Sequence, residues 1–191
     1  MPKNADPQGF GNYNYVEQLV EAREKLKENS ELLLRFGRRI SSKLRVLHSK
    51  MERGKELNFR EIGEVITILE DVALIITNMP SINNVTSALI RYIVQRIKEL
   101  RRRLEEVDRF IRERRGLVRG IHKEVREIVT YVLFSEVHDV AMLTFTFIMS
   151  LAKDLMIAER TVMSMLEEVY SSIEEPRKEP VKETAGSRTY M

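Results

Sequence analysis

The 191-residue chain contains no cysteine and no tryptophan, and only eight glycines, five prolines and three histidines. The missing cysteine excludes disulfides, thiolate nucleophiles and every cysteine-ligated zinc or iron–sulfur centre. Three histidines leave little material for a metal centre or a general base. So few glycines and prolines argue against a turn-rich all-β sandwich or barrel. A membrane-spanning run is also lacking. The longest uncharged apolar stretch, Val140–Ala152, has 13 residues, short of the roughly 18–20 that cross a bilayer. Extending it back to Ile128 takes in Glu136, His138 and Asp139. The opening MPKNADPQGFGNYNY has no basic segment followed by an apolar one, so no secretory signal is read. These absences lead to the expectation of a soluble intracellular protein for which membrane is not a partner.

What is present is charge and helical periodicity. Charged residues make up 32% and hydrophobic residues 43%, so a sizeable core is possible beneath a heavily charged exterior. With 32 Lys and Arg against 29 Asp and Glu, the net charge is +3. Twenty-four glutamates and 21 arginines against three glutamines lean towards a heat-adapted source.

The spacing predicts an all-α fold, an up-down antiparallel bundle of four long unequal helices with coiled-coil-like seams. They cover about 14–54, 58–79, 81–115 and 121–173, between tails at 1–13 and 174–191 read as disordered. Asn14 with Glu17, and Asn58 with Glu61, have the spacing of capping boxes. Leu19, Leu26, Leu33, Ile40 and Leu47 repeat every seven residues. The accompanying row, Val16, Arg23, Ser30, Gly37, Leu44 and Met51, is small or polar in its middle, which lets a neighbour approach closely there. Gly54 suits a C-terminal cap. The second helix is apolar nearly all round and should be the most buried. Pro80 and Ser81 end it and cap the third. In the third, Ile90, Ile93, Ile97, Leu100, Leu104, Val107 and Ile111 alternate in steps of three and four. In the fourth, Met142, Met149, Met156, Met163 and Tyr170 are seven apart, a row read as flexible core filling.

These helices would span roughly 60, 30, 50 and 80 Å. Followed as a zigzag, the third overshoots the first, and the segment from about Arg102 to Phe134 should project as a two-helix hairpin. Charge collects on that projection. Residues 91–126 hold 13 basic and 6 acidic side chains, a net of +7, while residues 1–90 net +1 and 127–191 net −5. Glu99–Arg103, Glu105–Arg109 and Asp108–Arg112 stand at the favourable four-residue spacing. The candidate nucleic-acid-binding residues are Arg101, Arg102, Arg109, Arg112, Arg114, Arg115, Arg119 and Lys123. They suit phosphate neutralisation with little sequence preference.

Catalytic readings find little support. His138 beside Asp139 and near Glu136 is a poor acid–base or metal site, since neighbours one or two apart on a helix do not share a face. It is read as a core or interface histidine. No nucleotide-loop or nucleophile-elbow motif occurs, and no catalytic, cofactor or metal residue is assigned. Glu70 and Asp71, in the apolar second helix, should pair with Arg or Lys of the first or third. The run VAMLTFTFIMSL at 140–151 is apolar round the whole helix, more than one bundle layer covers, which points to self-association rather than a membrane surface. The functional expectation is a non-enzymatic homo-oligomer that binds or coats nucleic acid, cytoplasmic or within a nucleoprotein assembly. The alternative is a protein-only scaffold whose basic tip meets an acidic partner protein.

Overall fold

A computed structural model describes the backbone of residues 7–79, 84–113 and 119–174 and the side chains of residues 14–79, 85–113 and 123–172. Among the described residues the chain is all-helical, with no strand. The helices are α1 (Pro7–Glu52), α2 (Phe59–Asn78), α3 (Asn84–Glu113) and α4 (Arg119–Glu174). The predicted Pro80–Ser81 junction lies outside the described residues.

Local chemistry accounts for most of the ends. At Asn58 the side chain accepts from the Arg60 amide at 3.0 Å, and Glu61 returns to the Asn58 amide at 3.4 Å, the reciprocal box read from the sequence. α1 closes at Gly54, whose φ of +65° is one that an L side chain resists. There the Gly54 amide donates to Met51 O and the Lys55 amide to Lys50 O, both at 2.9 Å, a Schellman closure. The start of α1 is a correction. Asn14 does not cap it; the helix begins at Pro7, whose fixed φ and absent amide hydrogen suit a first turn. Asn14 instead lies within the helix and accepts from Gln18 Nε2 at 3.1 Å.

α1 and α4 share the most extensive contact; α2 touches all three other helices, and α1 and α3 do not meet among the described residues. The core is continuous from Leu33, Ile40 and Leu47 through Ile62, Ile66 and Leu69 to Ile93, Ile97 and Leu100, all at most 2% exposed. Each such side chain contributes about 1.5–3 kcal/mol of burial. Leu74, 68% exposed, shows that α2 is not covered all round. The buried hydroxyls are satisfied by the helix itself: Thr130 and Thr144 donate to carbonyls four residues back, and Ser30 to Lys27 O. The buried Arg23 Nε, by contrast, has no hydrogen-bond partner among the described residues.

Gly37 sits at a close contact between α1 and α4. A Cβ there would lie 2.8 Å from Met149 Sδ, so the small residue in the middle of the α1 row has the use expected of it. The methionine row does not: Met142 and Met156 are exposed while Met149 is partly covered, and the inward position is taken by Ile148. A row seven apart but one position off the buried line flanks the contact instead of filling it.

The projecting hairpin is shorter than the zigzag predicts. Leu104 packs against Gly63 at the start of α2, and Leu133 and Phe134 belong to the core. At this end no described residue of 101–113 or 123–129 is fully buried. At the opposite end α1 and α4 outrun α2 and α3. Before Ser30 and beyond Ala152, Leu166 alone among their described residues is buried, and Arg23 faces Glu159 at 3.8 Å.

Candidate nucleic-acid interface

Of the eight arginines and lysines singled out from the sequence, five have described side chains, and these differ in what they meet. Arg101 turns inward: its Nε donates to Glu70 at 2.7 Å and its Nη2 to Thr67 Oγ1 at 3.0 Å. Hydrogen bonding to Glu70 holds the Arg101 proton more firmly than usual. The expected partner of Glu70 is thus found on α3, and Arg101 is removed from the set of free cations. Asp71, by contrast, faces solvent.

Arg102 bonds Glu106 at 3.2 Å, Arg112 pairs with Asp108, and Lys123 lies 3.5 Å from Glu56 and 3.6 Å from Glu127. Arg103 bridges Glu99 on its own helix and Glu136 on α4, and the charge of Glu136 raises its already high pKa. Arg109 is exposed and forms no ion pair with a described residue; the sequence pairing with Glu105 is not made. Arg114 and Arg115 lie outside the described residues, as does the side chain of Arg119. What survives exposed and without an ion pair among the described residues of α3 is a single line, Arg91, Lys98 and Arg109, in steps of seven and eleven that keep one helix face.

A second basic surface was hidden by averaging. Residues 34–55 carry eight basic side chains against one acidic, a net of +7 in a shorter stretch than 91–126. Neighbouring segments cancel it in any sum over residues 1–90. Two of the eight are neutralised by α2: Lys43 bonds Glu64 at 2.6 Å, and Lys50 bonds Glu61. Arg35, Arg38, Arg39, Arg45, Arg53 and Lys55 are exposed and form no ion pair with a described residue. The four on α1, Arg35, Arg38, Arg39 and Arg45, stand opposite the buried Leu33, Gly37, Ile40, Leu44 and Leu47, so α1 is cationic on its outer face by the same period that buries its inner one. The Arg39 guanidinium lies 5.3 Å from the Phe36 ring centroid, a contact that orients it without neutralising it. A charge count over about twenty residues, in place of ninety, finds this surface from the sequence.

His138 is partly buried, as an interface histidine should be. Its ring meets the His48 ring edge-on at 4.8 Å, Phe134 lies 6.1 Å away, and its Nδ1 is 3.5 Å from Asp139. No group of three or more potential metal ligands gathers among the described residues. Within 140–151, Val140, Ala141, Thr144, Ile148 and Leu151 are buried, so the bundle itself covers much of the run that looked apolar all round. Residues 123–172 of α4 include a stretch long and apolar enough, by length and composition, to cross a membrane; a third of it is buried within the bundle.

Compared with protein-family models, curated proteins and solved structures, the chain matches none.

Proposed function

We propose that this protein is a non-enzymatic, oligomeric helical bundle that binds nucleic-acid backbone. The observation that carries the reading is the outer face of α1, where Arg35, Arg38, Arg39 and Arg45 are exposed and unpaired among the described residues. They span about 15 Å of helix, a length over which a duplex offers roughly nine phosphate charges. Arginine presents a fork suited to phosphate oxygens. With no base-reading motif, affinity comes from counterion release and depends steeply on salt. The α3 line of Arg91, Lys98 and Arg109 is a second contact, on a helix that does not meet α1 among the described residues.

The helices are taken as an up-down antiparallel bundle with seven-residue seams. Support comes from the pairings Lys50–Glu61 with Lys43–Glu64, Gly63–Leu104 with Glu70–Arg101, and Gly37–Met149 with Arg23–Glu159. In each set, numbers rise on one helix as they fall on the other.

The test is a fluorescence-anisotropy titration of mixed-sequence duplex DNA and of single-stranded RNA at two salt concentrations. Binding should weaken with salt along a log–log slope of about −4 for four α1 contacts on duplex. Absence of binding at low salt sinks the nucleic-acid reading and favours the scaffold with an acidic protein partner.

A further inference from the structure

The outer face of α4 carries apolar side chains that no other helix covers: Ile128 is 64% exposed, Val132 52%, Met142 42% and Ile157 52%. The surface is not uniformly greasy, and the order of its residues says what fits it. Counting outward from the exposed Thr146, the positions four residues away hold Met142 and Ser150. Seven away stand Asp139 and Lys153, and eleven away Ser135 and Ile157. All seven are exposed, and steps of four, three and four keep them on one helix face.

We infer that two copies of this chain pair through this face, α4 against α4 antiparallel, with the two-fold axis at Thr146. A two-fold axis brings each position opposite its mirror in the count. Asp139 then meets Lys153 of the second copy, twice, while Met142 lies over Ser150 and Ile157 over Ser135. Within this span each charge faces its opposite and each large apolar side chain faces a small one, while just beyond it Val132 lies over Arg160. Thr146 faces itself. The contact from Ser135 to Ile157 extends about 33 Å, and Asp139 is available for it, with 79% of its side chain exposed and only the His138 ring beside it. A lipid surface would not select opposite charges placed evenly about one residue; a second copy does.

This rests on the oligomeric part of the proposed function and not on nucleic-acid binding, so it is tested without nucleic acid. Sedimentation velocity should show the full chain as a dimer or a multiple of one. D139K and K153D should each weaken association about tenfold or more, and D139K/K153D should return it to within about threefold of the parent. Because the chain has no cysteine, T146C should form a covalent dimer under mild oxidation, whereas S42C on the outer face of α1 should not. Circular dichroism confirms folding, since each substituted side chain is exposed. A parent chain that is monomeric at micromolar concentration overturns both the oligomer and this interface, as does a monomer that floats with phosphatidylcholine vesicles. An oligomer indifferent to both charge reversals and uncrosslinked by T146C overturns the interface alone.

Discussion

Residues 34–55 and residues 91–126 carry the same net charge of +7, yet the two segments hold it differently. Along α3 and the start of α4, six of the ten cations with described side chains meet a carboxylate, either one helical turn away, as Arg112 meets Asp108, or on a packed neighbour, as Arg101 meets Glu70. Along the outer face of α1 only Arg35 has a carboxylate at that spacing, Glu31, and the two form no ion pair; none stands beside Arg38, Arg39 or Arg45, and the one acidic residue of the stretch is Glu52. Exposed ion pairs stabilise by at most about 1 kcal/mol, but each removes a cation from the set that can neutralise phosphate. Net charge therefore overstates the binding capacity of the second segment. The density of unpaired arginine is the better guide.

The sharpest way to break this comparison is charge reversal on each segment in turn. R35E/R38E/R39E should weaken duplex binding by roughly a thousandfold, about tenfold per contact, while R102E/R109E should cost about tenfold in all. Anisotropy titration at one fixed salt concentration reads both. The reverse ranking would return the site to the α3–α4 hairpin.

The two faces of α1 can be separated in the same way. Gly37 lies on the inner face, against Met149 and Phe145. Gly37→Leu should wedge α1 from α4 and cost about 2–3 kcal/mol in denaturant unfolding, with binding unchanged for the fraction that remains folded. Gly37→Ala should be nearly neutral. The Met149 thioether is the end of a flexible side chain that can swing aside, and alanine recovers about 1 kcal/mol of helix propensity.

Arg101 tests the opposite assignment, a cation retained for structure. Arg101→Ala leaves Glu70 half-buried without its partner and should cost about 1–2 kcal/mol of stability. Its effect on duplex affinity should be under about twofold. A tenfold loss of affinity from this substitution would put Arg101 back in the binding set.

Much of the frame was legible because local chemistry and tertiary packing agree. Asn58 with Glu61, Gly54 and the α3 steps from Ile90 to Leu100 each satisfy a helix end or bury a face by themselves, and the structure places them as the spacing predicts. Where the reading failed, something other than local pattern decided. Pro7 starts α1 because a helix needs no apolar period to continue through polar residues, and Asn14 makes its bond within the helix. The methionine row lost the inward position to Ile148, a competition between adjacent lines that spacing alone cannot rank. Glu70 could be assigned a basic partner on chemical grounds, but only the packing of α2 on α3 picks Arg101. The α1 surface was present in the residue order and vanished in a sum taken over too long a window.

The smallest expected effect is the most specific to the comparison. Lys43 belongs to the α1 segment but is tied to Glu64, whose pKa is lowered by its hydrogen bond to Lys43 and by the lysine charge. A lowered folded pKa means that this pair stabilises the protein above the ordinary carboxylate value near 4.5. The contribution is lost as pH falls through the lowered value. Glu99, lowered mainly by its hydrogen bond to Arg103, changes in the same direction. Both carboxylates are partly exposed and screened by solvent, so the melting temperature should fall only slightly between about pH 6 and about pH 4 and more steeply below. Protonating Glu64 also releases Lys43 while phosphate diesters stay charged, so the α1 surface gains one cation. Glu64→Gln reproduces that state at neutral pH. It should tighten duplex binding about two- to threefold and steepen the log–log salt slope by up to about one, while Glu99→Gln should change affinity less, because Arg103 keeps its bond to Glu136 and the Arg96 it releases is only partly exposed. Equal gains from the two substitutions would mean that the segments contribute alike and that the contrast between them has no bearing on binding.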